Sequence, residues 1–179
     1  MKLLRTIRLD PSDTFVFEKA AEPGEWAVSG AFAFAHLDPA MLEGKQRAAF
    51  RGGLLGIDSL GWSTLVQIVE ASEDDREAAV EMLALRLVER FGAPDLATAR
   101  PAAAEEIAFA ASLSNHAKGM LAAVSRKYED GAIREAFRTL TPSVGPKPLN
   151  AFAFLEVVGE DEAPTEQVDL LTLGRGERS

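Results

Sequence analysis

Residues 56–63, GIDSLGWS, place glycines and a serine at the spacing G-x-x-x-x-G-x-S of the phosphate-cradling loop of nucleotide hydrolases, except that Trp62 stands where that loop carries its lysine. Phosphate loops work because a strand delivers the glycines to the N-terminus of a following helix, whose amides and dipole hold the anion. Here a basic segment, residues 45–51, precedes the glycines, and a β-branched run, residues 64–70, follows them. Phosphate chemistry is therefore not expected. Ser59-Leu60-Gly61 also resembles the end of the nucleophile elbow G-x-S-x-G, but the leading glycine is missing and the strand-turn-helix context fails. The stretch is expected to be a structural turn whose Trp62 packs into the core.

Other side chains could do chemistry. His116, with Ser112 and Ser114 nearby, is the one candidate general base. Glu105 lies eleven residues before it on a predicted helix, about 16 Å away, too far to orient its ring. A histidine near a helix C-terminus also has a structural role through the macrodipole. Arg47 with Arg51, and Arg134 with Arg138, have the i,i+4 spacing that could clamp a carboxylate or phosphate, although acids such as Glu43, Glu129 and Glu135 could pair with them instead. His36 and Asp38 have no H-x-H or H-x-x-x-H neighbourhood, so no metal site is expected. With no cysteine, thiolate nucleophiles, disulfides and cysteine-ligated metals are excluded for this chain. No cofactor is implied.

The elements that would position these residues are read from periodicity. Alternation predicts strands at residues 3–9, around Phe15 and Phe17, and most clearly over WAVSGAFAFA, residues 26–35, with aromatic residues on one face and alanines on the other. A further strand is expected at 64–70. Ser72 to Asp75 has capping-box spacing, and Val80, Leu83, Leu87 and Phe91 form an amphipathic stripe. An alanine-rich helix is expected from about Pro101 to Ala117, with the proline in its first turn. Residues 120–128 read as a strand. Residues 131–140 stay open between a helix, from the spacing of Ile133, Ala136, Phe137 and Leu140, and a strand paired through an Asp130-Gly131 hairpin. Prolines 142, 146 and 148 suggest a linker before a last strand at 150–158.

These elements imply an α+β fold, a mainly antiparallel sheet of about five or six strands with helices packed on it. Residues 1–158 form a single domain, and 159–179 an acidic, mobile tail whose apolar island, VDLLTL at 168–173, could add to a sheet edge. The 179 residues fit one domain. A net charge of −9 argues against a nucleic-acid partner. No apolar run is long enough to span a bilayer, and the N-terminus lacks a signal-peptide pattern, so a cytoplasmic protein is expected.

The segments EPGEWAVSGAFAF (22–34), FRGGLLGIDSLGWSTLV (50–66) and GAIREAFRTLTP (131–142) together resemble a family of uncharacterised proteobacterial proteins of this length. The resemblance covers most of residues 1–142 and implies no assigned activity, so it supplies no catalytic residue. It further implies encoding near accessory genes for molybdenum-dependent formate dehydrogenase. The functional expectation is a non-catalytic accessory or assembly protein, acting through contacts with an unidentified protein partner and forming a homo-oligomer. The alternative is a small-molecule anion binder or enzyme using one arginine pair as clamp and His116 as base.

Overall fold

The computed structural model describes residues 1–142 and 155–157. Among these residues, eight antiparallel strands make one curled sheet: β1 (Lys2–Ile7), β2 (Trp26–Val28), β3 (Leu54–Gly56), β4 (Trp62–Ser63), β5 (Leu65–Glu70), β6 (Leu121–Glu129), β7 (Ala132–Pro142) and β8 (Leu155–Val157). Their order is β4-β3-β2-β1-β5-β6-β7-β8. The helices are α1 (Ser12–Val16), α2 (Gly44–Gly52), α3 (Glu73–Arg90) and α4 (Leu96–Leu113). The fold is α+β, as the sequence indicates. It has more strands than expected because the glycine-rich stretch, read as a loop, itself supplies β3 and β4.

Strand β1 lies inside the sheet, paired with β2 on one side and β5 on the other. Leu3 and Leu4 point to opposite faces and both are buried, so the strand is covered on each. The helical pair α3–α4 closes the main core, in which Ala79, Leu83 and Ala84 of α3 and Ala99, Ala103, Ile107 and Ala110 of α4 meet sheet residues such as Val28, Val66 and Ile68. Small residues let α4 approach the sheet closely. The capping box is present, with Ser72 Oγ accepting from Asp75 N and Asp75 returning the bond to Ser72 N. These bonds hold the Asp75 carboxyl below the usual carboxylate range.

Three expected elements differ. The strand over 26–35 stops at Val28: Gly30 adopts φ +84°, and residues 31–34 become a 3-10 turn. A Cβ at Gly30 would lie 2.7 Å from that of Leu55 and 2.9 Å from the Trp62 ring, so only glycine fits this break. The alternation of aromatics and alanines there is not strand periodicity. Phe15 lies in the short helix α1, with Phe17 just beyond it, where a strand was expected. Helix α4 begins at Leu96 under the Asp95 cap and ends at Leu113, so Pro101 is inside it rather than in its first turn. The Pro101 interruption is on an exposed side, where the carbonyl it leaves unpaired can be hydrated.

The hairpin reading of 131–140 is the one realised. Asp130 and Gly131 take φ values of 53° and 77°, and β6 pairs with β7 from Leu121 opposite Leu140 to Glu129 opposite Ala132. Of the last expected strand, Leu155–Val157 pairs with β7; Pro142, expected in a linker, instead ends β7, and residues 143–154, with the rest of that linker, and the tail from 159 onward lie outside the described residues.

Candidate functional site

The turn at 56–63 does hold an anion, and the anion is the protein's own. The carboxylate of Glu25, just before β2, accepts from Asp58 N at 3.0 Å and Ser59 N at 2.9 Å on Oε1, and from Ser59 Oγ at 2.6 Å and Glu22 N at 2.7 Å on Oε2. Ser59 Oγ in turn accepts from Gly61 N. The turn must come close to do this: a Cβ on Gly61 would lie 2.5 Å from the Ala20 carbonyl oxygen. Trp62 then stacks on Phe34, with ring centroids 5.3 Å apart. Its satisfied internal ligand makes the turn structural, as its residue order indicates.

A second buried carboxylate lies across the fold. Arg126 and Glu135 stand opposite each other in the β6–β7 register, and both side chains are fully buried. Arg126 Nε donates to Glu135 Oε2 at 2.6 Å. Its Nη1 donates to the carbonyls of Ala49 and Phe50 in the last turn of α2, and its Nη2 donates to the Ser29 carbonyl. Ser29 Oγ also donates to Glu135 Oε2, at 2.6 Å. One guanidinium thus ties the hairpin, the end of α2 and the end of β2 together, placing its charge at the α2 C-terminus, where it bonds the Phe50 carbonyl and shares that of Ala49 with the Gly53 N–H. Glu135 Oε1, by contrast, is buried with no partner among the described residues.

Glu106 of α4 is electrostatically coupled to this cluster. Burial pushes its carboxyl up to about 7, with Glu135 and then Glu105 adding to the rise and Arg126 opposing it. Glu106 also lines a cavity of about 530 Å³, within the usual range for small-molecule pockets. Its walls are Phe32, Ala33, Ala35 and His36 after β2, Leu87, Arg90 and Phe91 at the end of α3, and Ala102, Glu105 and Glu106 on α4. Phe32 and Phe91 meet edge to face at 5.2 Å, forming an aromatic wall. The side chains of His36, Arg90, Glu105 and Glu106 make no hydrogen bond or ion pair with other described residues.

The candidates singled out from the sequence lie elsewhere. Arg47 and Arg51 are exposed on α2. Arg134 and Arg138 are on a strand, not a helix; Arg134 is paired with Glu129 at 3.3 Å, and Arg138 is exposed. His116 follows α4, and its backbone carbonyl accepts from Lys2 Nζ at 2.6 Å. None of these residues lines the cavity beside Glu106. His36, considered as a metal ligand, does line it, and among the described residues no group of three or more histidine or acidic side chains could hold a metal ion. Arg126, Glu135 and Glu106 were missed as a site. Hairpin counting could have found the first two, because they sit four positions either side of the Asp130-Gly131 turn.

A model for a family of unknown function matches residues 1–157. The chain belongs to that family, DUF6505. No curated protein matches it, and no solved structure does. DUF6505 membership therefore confirms an uncharacterised family over nearly the whole chain and supplies no activity or site residue. Among the described residues no helix is long and apolar enough to cross a membrane.

Proposed function

We propose that this DUF6505 protein is an accessory or assembly protein that acts through protein contacts rather than by catalysis. The observation that supports this reading is an apolar surface around α1 and the 3-10 turn at Pro39–Met41. Phe15 is 71% exposed and Met41 74%. Their near neighbours in the chain, Phe17 and Leu42, are buried together with Phe34 and Phe50 in a second, smaller core. Val16 and Leu37 are exposed as well, the first adjoining Phe17 in the chain and the second bonded through its backbone N–H to the Phe34 carbonyl. Large apolar side chains gathered in this way mark contact surfaces more often than scattered ones do. The net charge of −9 favours a partner whose interface has a basic rim. Self-association through the same surface would produce the expected homo-oligomer. The finer expectation, a part in maturing a molybdenum-dependent formate dehydrogenase in a proteobacterial cytoplasm, rests on the sequence resemblance alone.

The test is affinity purification from the native host with mass spectrometry, comparing the wild type with a Phe15→Glu/Met41→Glu variant. The wild type should recover a stable partner or a second copy of itself. The variant should lose it while melting at the same temperature, because both side chains are already solvated. Recovery of nothing by the wild type, or of the same partner by both proteins, would reject the contact surface.

A further inference from the structure

The cavity beside Glu106 is formed by groups that the contact surface does not use, and its charges are unevenly matched. Glu106 and Glu105 face it from α4, Arg90 from the last turn of α3, and His36 from the segment after β2. Outside the cavity lining, the buried Glu135 and Arg126 of the β6–β7 hairpin act on the Glu106 carboxyl, Glu135 by repulsion and Arg126 by attraction. Arg126 is fully committed: its donors go to Glu135 Oε2 and to the carbonyls of Ser29, Ala49 and Phe50. Among the described residues, the second oxygen of Glu135 has no donor, and the Glu106 carboxyl has none either. Two carboxyl groups thus share one guanidinium that is already occupied. The missing component is a positive charge or hydrogen-bond donor on the cavity side, next to an apolar wall of Phe32, Leu87 and Phe91.

We propose that this cavity binds a small amphipathic amine, its apolar body against Phe32, Leu87 and Phe91 and its ammonium at Glu106. The aromatic wall suits both parts of such a ligand, since ring faces attract cations and ring bodies cover apolar groups. Arg90 and His36, both exposed at the rim, would pair with a carboxylate if the ligand carried one, so an amine and the matching zwitterion are both accommodated. A purely anionic ligand is not, because its charge would meet Glu105 and Glu106. Binding stays coupled to protons: the Glu106 carboxyl, raised to about 7 by burial, Glu135 and Glu105, must ionise to receive the ammonium.

Isothermal titration calorimetry on the full chain with phenethylamine, phenylalanine and 3-phenylpropionate tests the proposal. Phenethylamine should bind saturably, about tenfold more tightly at pH 8 than at pH 6, because apparent affinity follows the ionised fraction of the receiving group. Glu106→Gln should weaken binding at pH 8 by about tenfold or more and abolish the difference between the two pH values. Ala102→Phe fills the cavity from the exposed side of α4 without altering a carboxyl, and it should remove binding of every probe. Saturable binding of 3-phenylpropionate in preference to the amines would overturn the proposal. So would the absence of amine binding at pH 8, or amine binding unchanged in both variants. These measurements need no partner protein, so their failure is distinct from failure of the contact surface.

Discussion

Glu25, just before β2, and Glu135, on β7, are both buried carboxylates of the same sheet, yet they are treated in opposite ways. Glu25 receives four donors, two on each oxygen, all from its own loop and the 58–59 turn. Glu135 receives two donors on one oxygen and, among the described residues, none on the other, and it adds to the perturbation of a neighbouring glutamate in a cavity wall. A buried carboxylate with every lone pair used is part of the scaffold. One left half-satisfied behind a cavity-lining glutamate that also has no donor among the described residues marks where an external group can add free energy. The anion cradle suggested by GIDSLGWS is therefore full, and the binding capacity lies beside a residue pair no motif announces.

The comparison is broken most forcefully at Arg126. Replacing it with methionine leaves Glu135 buried without a counter-charge and removes the guanidinium's bonds to the Phe50 and Ser29 carbonyls. The expected loss is about 3–5 kcal/mol in chemical denaturation, the cost of breaking a buried ion pair from one side. An Arg126→Met/Glu135→Leu double variant should recover most of that loss, since the isolated charge disappears. If the double variant is as unstable as the single one, the pair is held by its backbone contacts rather than by charge.

The Glu25 side is sharpened by Glu25→Gln. An amide can accept on one oxygen only, and its NH₂ would face the Glu22 N–H and Ser59 hydroxyl that now donate to Oε2. Charge-assisted bonds of this kind contribute about 1.5–3 kcal/mol each, and partial rearrangement should limit the net loss to about 2 kcal/mol. Ligand binding at the cavity should be unaffected. A Glu25→Gln protein that unfolds at the wild-type denaturant midpoint would show that the turn holds its shape without the internal anion.

Elements with simple local causes were legible in the sequence. The Ser72–Asp75 cap and the β-branched strand at 65–70 appear where spacing places them, because short-range hydrogen bonds and alternation determine both. The strand expected at 26–35 failed because alternation of aromatics and alanines says nothing of a left-handed residue, and Gly30 turns the chain to make room for Trp62. The rejected phosphate loop failed for a reason visible locally, the order of its flanking elements, whereas its true occupant, Glu25, lies 34 residues from Ser59. Glu106 had no local signal at all. Its perturbation comes first from burial and then from Glu135, both products of hairpin and helix packing, and helical spacing at 133–140 competed with the pairing that creates the Arg126–Glu135 couple.

The smallest effect concerns Glu106 itself and carries a sign. Its carboxyl is raised from an ordinary 4.5 to about 7, so between those values the native protein holds a proton that the unfolded chain has released. Stability is fully present below pH 4.5 and is lost as pH rises through 7. Glu106→Gln fixes the neutral form, so it should flatten that part of the profile. The full separation of the two values corresponds to about 3 kcal/mol, and solvent in the cavity screens part of it, so at pH 8 the variant should be about 1–2 kcal/mol more stable than wild type, and near pH 4.5 indistinguishable from it. Urea denaturation at a series of pH values measures both ends. A variant equally stabilised at every pH would mean that lost desolvation, not ionisation, separates Glu106 from a satisfied carboxylate. One destabilised at pH 8 would mean that the ionised carboxylate already has a compensating partner, placing it with Glu25 rather than with Glu135.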